Sequence, residues 1–241
     1  MLRICRLWKI FVVRTRIKIC GLTREEDVES VLDAGVDALG FVFYTSSPRF
    51  VSPERARQLT SLCPAWVSTV GLFVNSSREE ISRISDISGI NQIQLHGDES
   101  IDDCKKLSRP VVKAIRISSK KNPNKGDYDN ILSQLIESKR YLDFCSAILL
   151  DADSPSYGGS GKSFDWNVLN DVGSIFGRKW VLSGGLNAEN IRSALDLYKP
   201  PSIDVSSGVE ACQNGLTLKG LKDKEKIKIF VSTVEKMSGK I

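Results

Sequence analysis

Short apolar and β-branched runs recur along the chain, separated by longer stretches in which apolar residues fall three or four positions apart. The short runs occupy residues 17–20, 38–43, 67–74, 92–96, 111–116, 147–151, 179–183 and 202–206. Such runs predict strands covered on both faces, the condition of a parallel sheet. The amphipathic stretches between them, 24–34, 53–62, 78–86, 99–107, 128–138, 165–176, 188–197 and 222–237, predict helices. Start signals support several of these: Ser52-Pro53-Glu54 offers an N-cap, a first-turn proline and a first-turn acid. Eight strands alternating with eight helices, at about 30 residues per unit, predict a single (β/α)8 TIM barrel. A doubly wound open sheet shares the alternation but is usually marked by Gly-x-Gly-x-x-Gly after the first strand. Residues Ile19-Cys20-Gly21-Leu22-Thr23 lack that signature.

Composition narrows the reading. With 41% apolar and 26% charged residues, the 241-residue chain can build one large core, which excludes a disordered polypeptide. No apolar run approaches the ~18 residues of a membrane helix, so no membrane partner is expected. The net charge of +5 does not point to nucleic acid. Arg3, Arg6, Lys9, Arg14, Arg16 and Lys18 lie within the first 18 residues, where there is no acid, and the rest of the chain carries a net charge of −1. A nearly neutral body lacks the basic face of a phosphate-backbone binder. Lys120, Lys121 and Lys125 form one local cluster, read as solvated.

The six cysteines are scattered with no Cys-x-x-Cys pair, and His96 is the one histidine, so no zinc site of ordinary spacing is expected. Reduced thiols in a cytoplasmic protein are the simpler reading. Residues 7–13 are apolar but short and interrupted by Lys9, and no small-residue cleavage site follows them. Residues 1–15 therefore read as an extension outside the barrel, which occupies 16–241. Removing residues 1–14 is expected to change neither stability nor activity.

In a TIM barrel the chemistry sits at the C-terminal ends of the strands. That rule selects Cys20, the loop 43–49, His96, Arg116, Asp151, Gly184-Gly185 and Ser206-Ser207-Gly208. Each has a structural alternative: a strand-ending cysteine is commonly a small buried hydrophobe, His96 a satisfied rim residue, Asp151 a loop cap. The glycines after strands seven and eight carry more, because backbone N–H groups in glycine-permitted turns next to a helix N-terminus cradle anions. Barrels often hold a phosphate at that place.

Eight motifs resemble phosphoribosylanthranilate isomerases, in the family's order and over residue 16 to the C-terminus. They are Lys18-Ile-Cys-Gly-Leu-Thr-Arg24, Gly40-Phe-Val-Phe with Ser47-Pro-Arg49, Gly71-Leu-Phe-Val-Asn75 and Gln94-Leu-His-Gly-Asp98. Leu149-Leu-Asp151, Gly158-Gly-Ser-Gly-Lys-Ser-Phe-Asp-Trp166, Leu182-Ser-Gly-Gly-Leu-Asn187 and Asp204-Val-Ser-Ser-Gly-Val-Glu210 complete the set. The extension and a longer, lysine-rich stretch at 118–129 depart from the family's pattern.

The resemblance implies an Amadori rearrangement of N-(5′-phosphoribosyl)anthranilate, the third step from chorismate to tryptophan. It places the base at Cys20 and the acid at Asp151, a pair that must hold opposite protonation states. Cys20 works only as thiolate, which requires nearby N–H donors or a cation. Asp151 must stay protonated, which requires desolvation or a neighbouring negative charge. The resemblance further implies that Arg49 meets the anthranilate carboxylate with its planar fork. Asp204 would contact the ribose or amine side, and the phosphate would lie on the backbone of Gly184, Gly185, Ser207 and Gly208. The phosphorylated substrate is the one partner implied, and no metal, nucleotide or redox cofactor is. A neighbouring barrel synthase would present lysines at strand ends, whereas Lys113 lies within a strand. A non-catalytic barrel would lack Cys20 or Asp151, and both are present.

Overall fold

A computed structural model describes residues 14–118, 124–153 and 163–238. The apolar runs form strands β1 (Arg16–Cys20), β2 (Ala38–Val42), β3 (Ser68–Phe73), β4 (Gln92–Leu95), β5 (Val111–Ile117), β6 (Ala147–Ala152), β7 (Trp180–Leu182) and β8 (Ser202–Val205). These eight are parallel and close into a barrel in chain order, β8 pairing with β1. Helices α1 (Glu25–Asp33), α2 (Pro53–Thr60), α3 (Arg78–Ser88), α4 (Ile101–Cys104), α5 (Lys125–Ser138), α6 (Val172–Phe176) and α7 (Ile191–Tyr198) follow the first seven strands. The Ser52 signal works as expected: its Oγ accepts from Arg55 N at 3.1 Å, with Pro53 opening α2.

Two expected helices come out shorter. The stretch 99–107 yields only α4, because Lys105 leaves the helical region and Lys106 takes a left-handed conformation, φ 63°. The stretch 165–176 divides into a 3₁₀ segment, Trp166–Asp171, and α6. One element is additional: β9 (Glu210–Gln213) and β10 (Leu216–Lys222) form an antiparallel hairpin between β8 and α8 (Lys224–Ser238). Its turn, Asn214-Gly215, has φ of 51° and 77°, the twist that suits a two-residue connection.

Alternation along the strands separates two interiors. Ile17, Ile19, Leu39, Phe41, Phe73, Ile93, Leu95, Ile148, Leu150 and Ile203 face outward and pack with helix residues such as Val28, Leu59, Ile81 and Phe230 in the main core. Inside the barrel the apolar residues fall into two small clusters, Cys20–Val42–Leu72–Val74 and Val112–Ala114–Leu149. Buried Lys18, Gln94, His96, Asp151 and Asp204 lie on the same inward register.

Arg14 and Thr15 are tied to the barrel. Arg14 Nη2 donates to Asp37 Oδ1 at 2.6 Å, and the buried Thr15 donates to Pro200 O at 2.9 Å. The expected boundary after residue 15 therefore cuts through barrel contacts, while residues 1–13 lie outside the described residues. Deleting residues 1–13 is expected to leave kcat/KM and the thermal midpoint unchanged. Cutting after Thr15 should lower the midpoint by about 2–4 °C for each kcal/mol that the Arg14 and Thr15 hydrogen bonds contribute. Differential scanning calorimetry of the two truncations checks both.

Candidate active site

Cys20 ends β1 with its side chain turned inward, two positions above Lys18 on the same face. β2 makes room for both. A Cβ at Gly40 would fall 2.7 Å from Cys20 Sγ and 3.0 Å from Lys18 Cε, so only a residue without a side chain fits there. Lys18 Nζ donates to Asp204 Oδ2 at 2.7 Å, across a strand pair whose register sets Lys18 directly opposite Asp204. Burial pushes the Cys20 thiol pKa up, against the pull of the Lys18 ammonium. Burial likewise raises the Asp204 carboxyl, with Lys18 opposing and the Asp151 charge adding. Asp204 Oδ1 is buried and has no hydrogen-bond partner among the described residues.

Asp151 is held on both oxygens. Oδ1 accepts from Ala152 N at 2.8 Å, and Oδ2 lies 3.0 Å from His96 Nε2. His96 Nδ1 in turn meets Gln94 Nε2 at 2.9 Å. An amide nitrogen donates, so Nδ1 accepts and Nε2 carries the proton toward Asp151. Expected only as a rim residue, His96 is thus a direct partner of the candidate acid.

The loops after β7 and β8 meet backbone to backbone. Gly184 has φ 85°, and a Cβ there would lie 2.7 Å from Ala152 N and 3.1 Å from Asp151 Oδ1. A Cβ at Gly208 would sit 1.9 Å from Leu186 O, so the two loops adjoin only because residue 208 has no side chain. The expected helix N-terminus is displaced. α7 begins at Ile191, after a turn in which Asn187 Oδ1 accepts from Glu189 N and Asn190 N. Ser207 and Gly208 instead open a single 3₁₀ turn, Ser207–Val209.

Arg49 departs from expectation. It is buried, and Nε and Nη2 pair with Glu210 Oε1 and Oε2 at 2.6 and 2.8 Å. Glu210 Oε1 also accepts from Gly220 N at 2.8 Å and faces Lys222 Nζ at 3.3 Å. Burial would raise the Glu210 pKa, yet the Arg49 hydrogen bonds and Lys222 charge outweigh it and hold the carboxyl below its ordinary value. The hairpin supplies both Glu210 and Lys222, neither of which sequence reasoning assigned a role. Arg116 turns instead to Asp98. Lys113 Nζ is engaged by Gly97 O, Glu99 Oε2 and Ala114 O, outside the cluster. Most of the motif at 158–166, and Lys120 and Lys121, lie outside the described residues.

Barrel interiors are ordinarily filled by branched apolar side chains. A buried lysine, histidine and two aspartates beside a cysteine place this chain in the class of (β/α)8-barrel enzymes. The particular family follows from comparison with known proteins. The model described as N-(5′phosphoribosyl)anthranilate (PRA) isomerase matches residues 17–233, and the chain belongs to that family. The N-(5′-phosphoribosyl)anthranilate isomerase of Thermotoga maritima is 42% identical over 222 residues, covering 91% of this chain and 98% of the relative. That of Herminiimonas arsenicoxydans is 42% identical over 225 residues, covering 92% and 93%. The crystal structure of the T. maritima enzyme superposes with a TM-score of 0.77 over 92% of this chain and 99% of that one, at 42% identity. A phosphoribosyl anthranilate isomerase in complex with reduced 1-(o-carboxyphenylamino)-1-deoxyribulose 5-phosphate gives 0.73 at 38% identity, over 92% and 99%.

Proposed function

We propose that the chain converts N-(5′-phosphoribosyl)anthranilate to 1-(2-carboxyphenylamino)-1-deoxyribulose 5-phosphate, a step toward tryptophan, with Cys20 as base and Asp151 as acid. The observation that carries this reading is the gathering of both residues, with Asp204, into one buried polar cluster at the barrel's C-terminal end. Asp151 gives a proton to the ring oxygen as the C1′–oxygen bond breaks and the nitrogen lone pair forms a Schiff base. Cys20 thiolate then removes the C2′ proton, leaving an enol-amine; return of that proton to C1′ and loss of the C2′ hydroxyl proton, which restores the acid, give the ketose.

The unpartnered Asp204 Oδ1 is a ready acceptor for a substrate N–H or hydroxyl, since a buried acceptor left alone is costly. The phosphate lies on the backbone of Gly184, Gly185, Ser207 and Gly208. Arg49 meets the anthranilate carboxylate while sharing its guanidinium with Glu210, which holds the plane in place. No helix among the described residues is long and apolar enough to cross a membrane, and the five described cysteines are free, in keeping with a cytoplasmic enzyme.

Fluorescence tests the reading directly. Freshly formed phosphoribosylanthranilate should lose its anthranilate-type emission on addition of the chain. Persistent emission with a folded protein would sink the proposal. Arg49→Ala is expected to raise KM about tenfold or more with a smaller change in kcat, because a carboxylate contact holds ground and transition states alike. A steep fall in kcat at constant KM would instead make Arg49 a positioner of the reacting sugar.

A further inference from the structure

A lysine inside a barrel wall needs a reason. Taking an ammonium and a carboxylate out of water costs several kcal/mol per ion, and apolar replacements of buried pairs are often neutral or stabilising. The Lys18–Asp204 pair therefore has little to offer the fold as such. Its position relative to Cys20 supplies the reason. Lys18 and Cys20 share one face of β1, their side chains crowd the same space over Gly40, and Lys18 Nζ is anchored at 2.7 Å on Asp204 Oδ2. We propose that Lys18 is the positioning residue that makes Cys20 a base: its ammonium, fixed by Asp204, is the counter-charge that holds the thiolate. The proposal rests on Cys20 being the base.

The surrounding charges favour Lys18 for this task. Among the described residues, the charges that act most on the Cys20 thiol are Lys18 from β1, Asp204 from β8 and Lys222 from β10. Asp204 also feels Asp151 and His96, and Lys222 feels Glu210 and Arg49. Of the three, Asp204 opposes ionisation of the thiol and the two lysines assist it. Lys222 is committed elsewhere, donating to Ser206 O at 3.0 Å and facing Glu210 Oε1 at 3.3 Å, and it reaches Cys20 by charge alone. Lys18 shares its face of β1 with Cys20, and its Cε crowds the same space over Gly40 as the thiol sulfur. Burial alone would lower the Lys18 pKa, but Asp204 and Cys20 more than offset this and keep the ammonium charged. When the thiol ionises its proton leaves to solvent, and the sulfur faces a cation that cannot turn away.

The test is the titration of Cys20 itself. Thiolate ultraviolet absorbance is followed against pH in the full chain, and the signal of the matching Cys20→Ser protein is subtracted. Lys18→Met should raise the Cys20 midpoint by about one unit or more, and each unit corresponds to a tenfold loss of thiolate at neutral pH. kcat/KM at neutral pH should fall in step. Lys18→Arg keeps the charge and should keep the midpoint near that of the unmodified chain. Should the methionine variant fail to fold, Lys18→Gln removes the charge while retaining a donor to Asp204, and the same displacement is expected.

An unmoved midpoint in the neutral variants overturns the proposal. So does a displacement seen in Lys222→Met and not in them, or the absence of any Cys20 signal in the unmodified chain below alkaline unfolding. If Cys20→Ser keeps its kcat, the reading of Cys20 as base fails separately, and the titration still decides whether Lys18 governs the thiol.

Discussion

Replacing Cys20 by serine is expected to lower kcat by about 10³-fold or more while KM changes little. Groups of this kind typically contribute ~10²–10⁴-fold, and the neighbouring carboxylate Asp204 is anchored on Lys18 through Oδ2. Lys18, on the same face of β1, is an ammonium already bonded to Asp204. Serine is close to cysteine in size, so Val42, Leu72 and Val74 keep their packing and the fold should survive. What changes is the acidity of the group, since a hydroxyl does not ionise where a thiol does. Because the C2′ proton is removed after binding, the loss belongs in kcat. Circular dichroism and the unfolding midpoint verify that the protein is intact, and near-normal turnover in an intact Cys20→Ser chain would remove the thiol from the reaction.

Local pattern revealed the barrel because parallel strands covered on both faces are apolar nearly throughout, and each strand lies within about two residues of its expected place. What the pattern leaves open is which face of each strand looks into the barrel. β4 carried a sign of it: Gln92, Gln94 and His96 alternate with Ile93 and Leu95, polar toward the interior and apolar toward the helices. Read that way, His96 and Lys18 come forward as inward-facing polar groups. Cys20 and Asp151 stood out because strand ends were already the place to look.

The hairpin was harder to see. Its strands are largely exposed, so burial imposes no period on them. The Asn214-Gly215 pair was its one local signal. Missing it hid the origin of Glu210 and Lys222, and with them the pairing of the Arg49 fork with Glu210. A sequence lists an arginine beside a motif, whereas its partner across 161 positions appears only in the fold.

Asp151→Asn should cost about 10²–10⁴-fold in kcat. The amide is nearly isosteric with the carboxyl. It can still accept from Ala152 N and meet His96, so geometry and KM should survive. It has no acidic proton to pass to the ring oxygen, and ring opening then waits on solvent. Gln94 and Asp151 hold the His96 ring from its two sides, Nδ1 at 2.9 Å from the amide nitrogen and Nε2 at 3.0 Å from Oδ2. Steady-state kinetics on Asp151→Asn beside the unmodified chain, with circular dichroism to verify the fold, measure the loss. If the intact variant turns over at close to the unmodified rate, the acid is some other group, and His96 becomes the first to test.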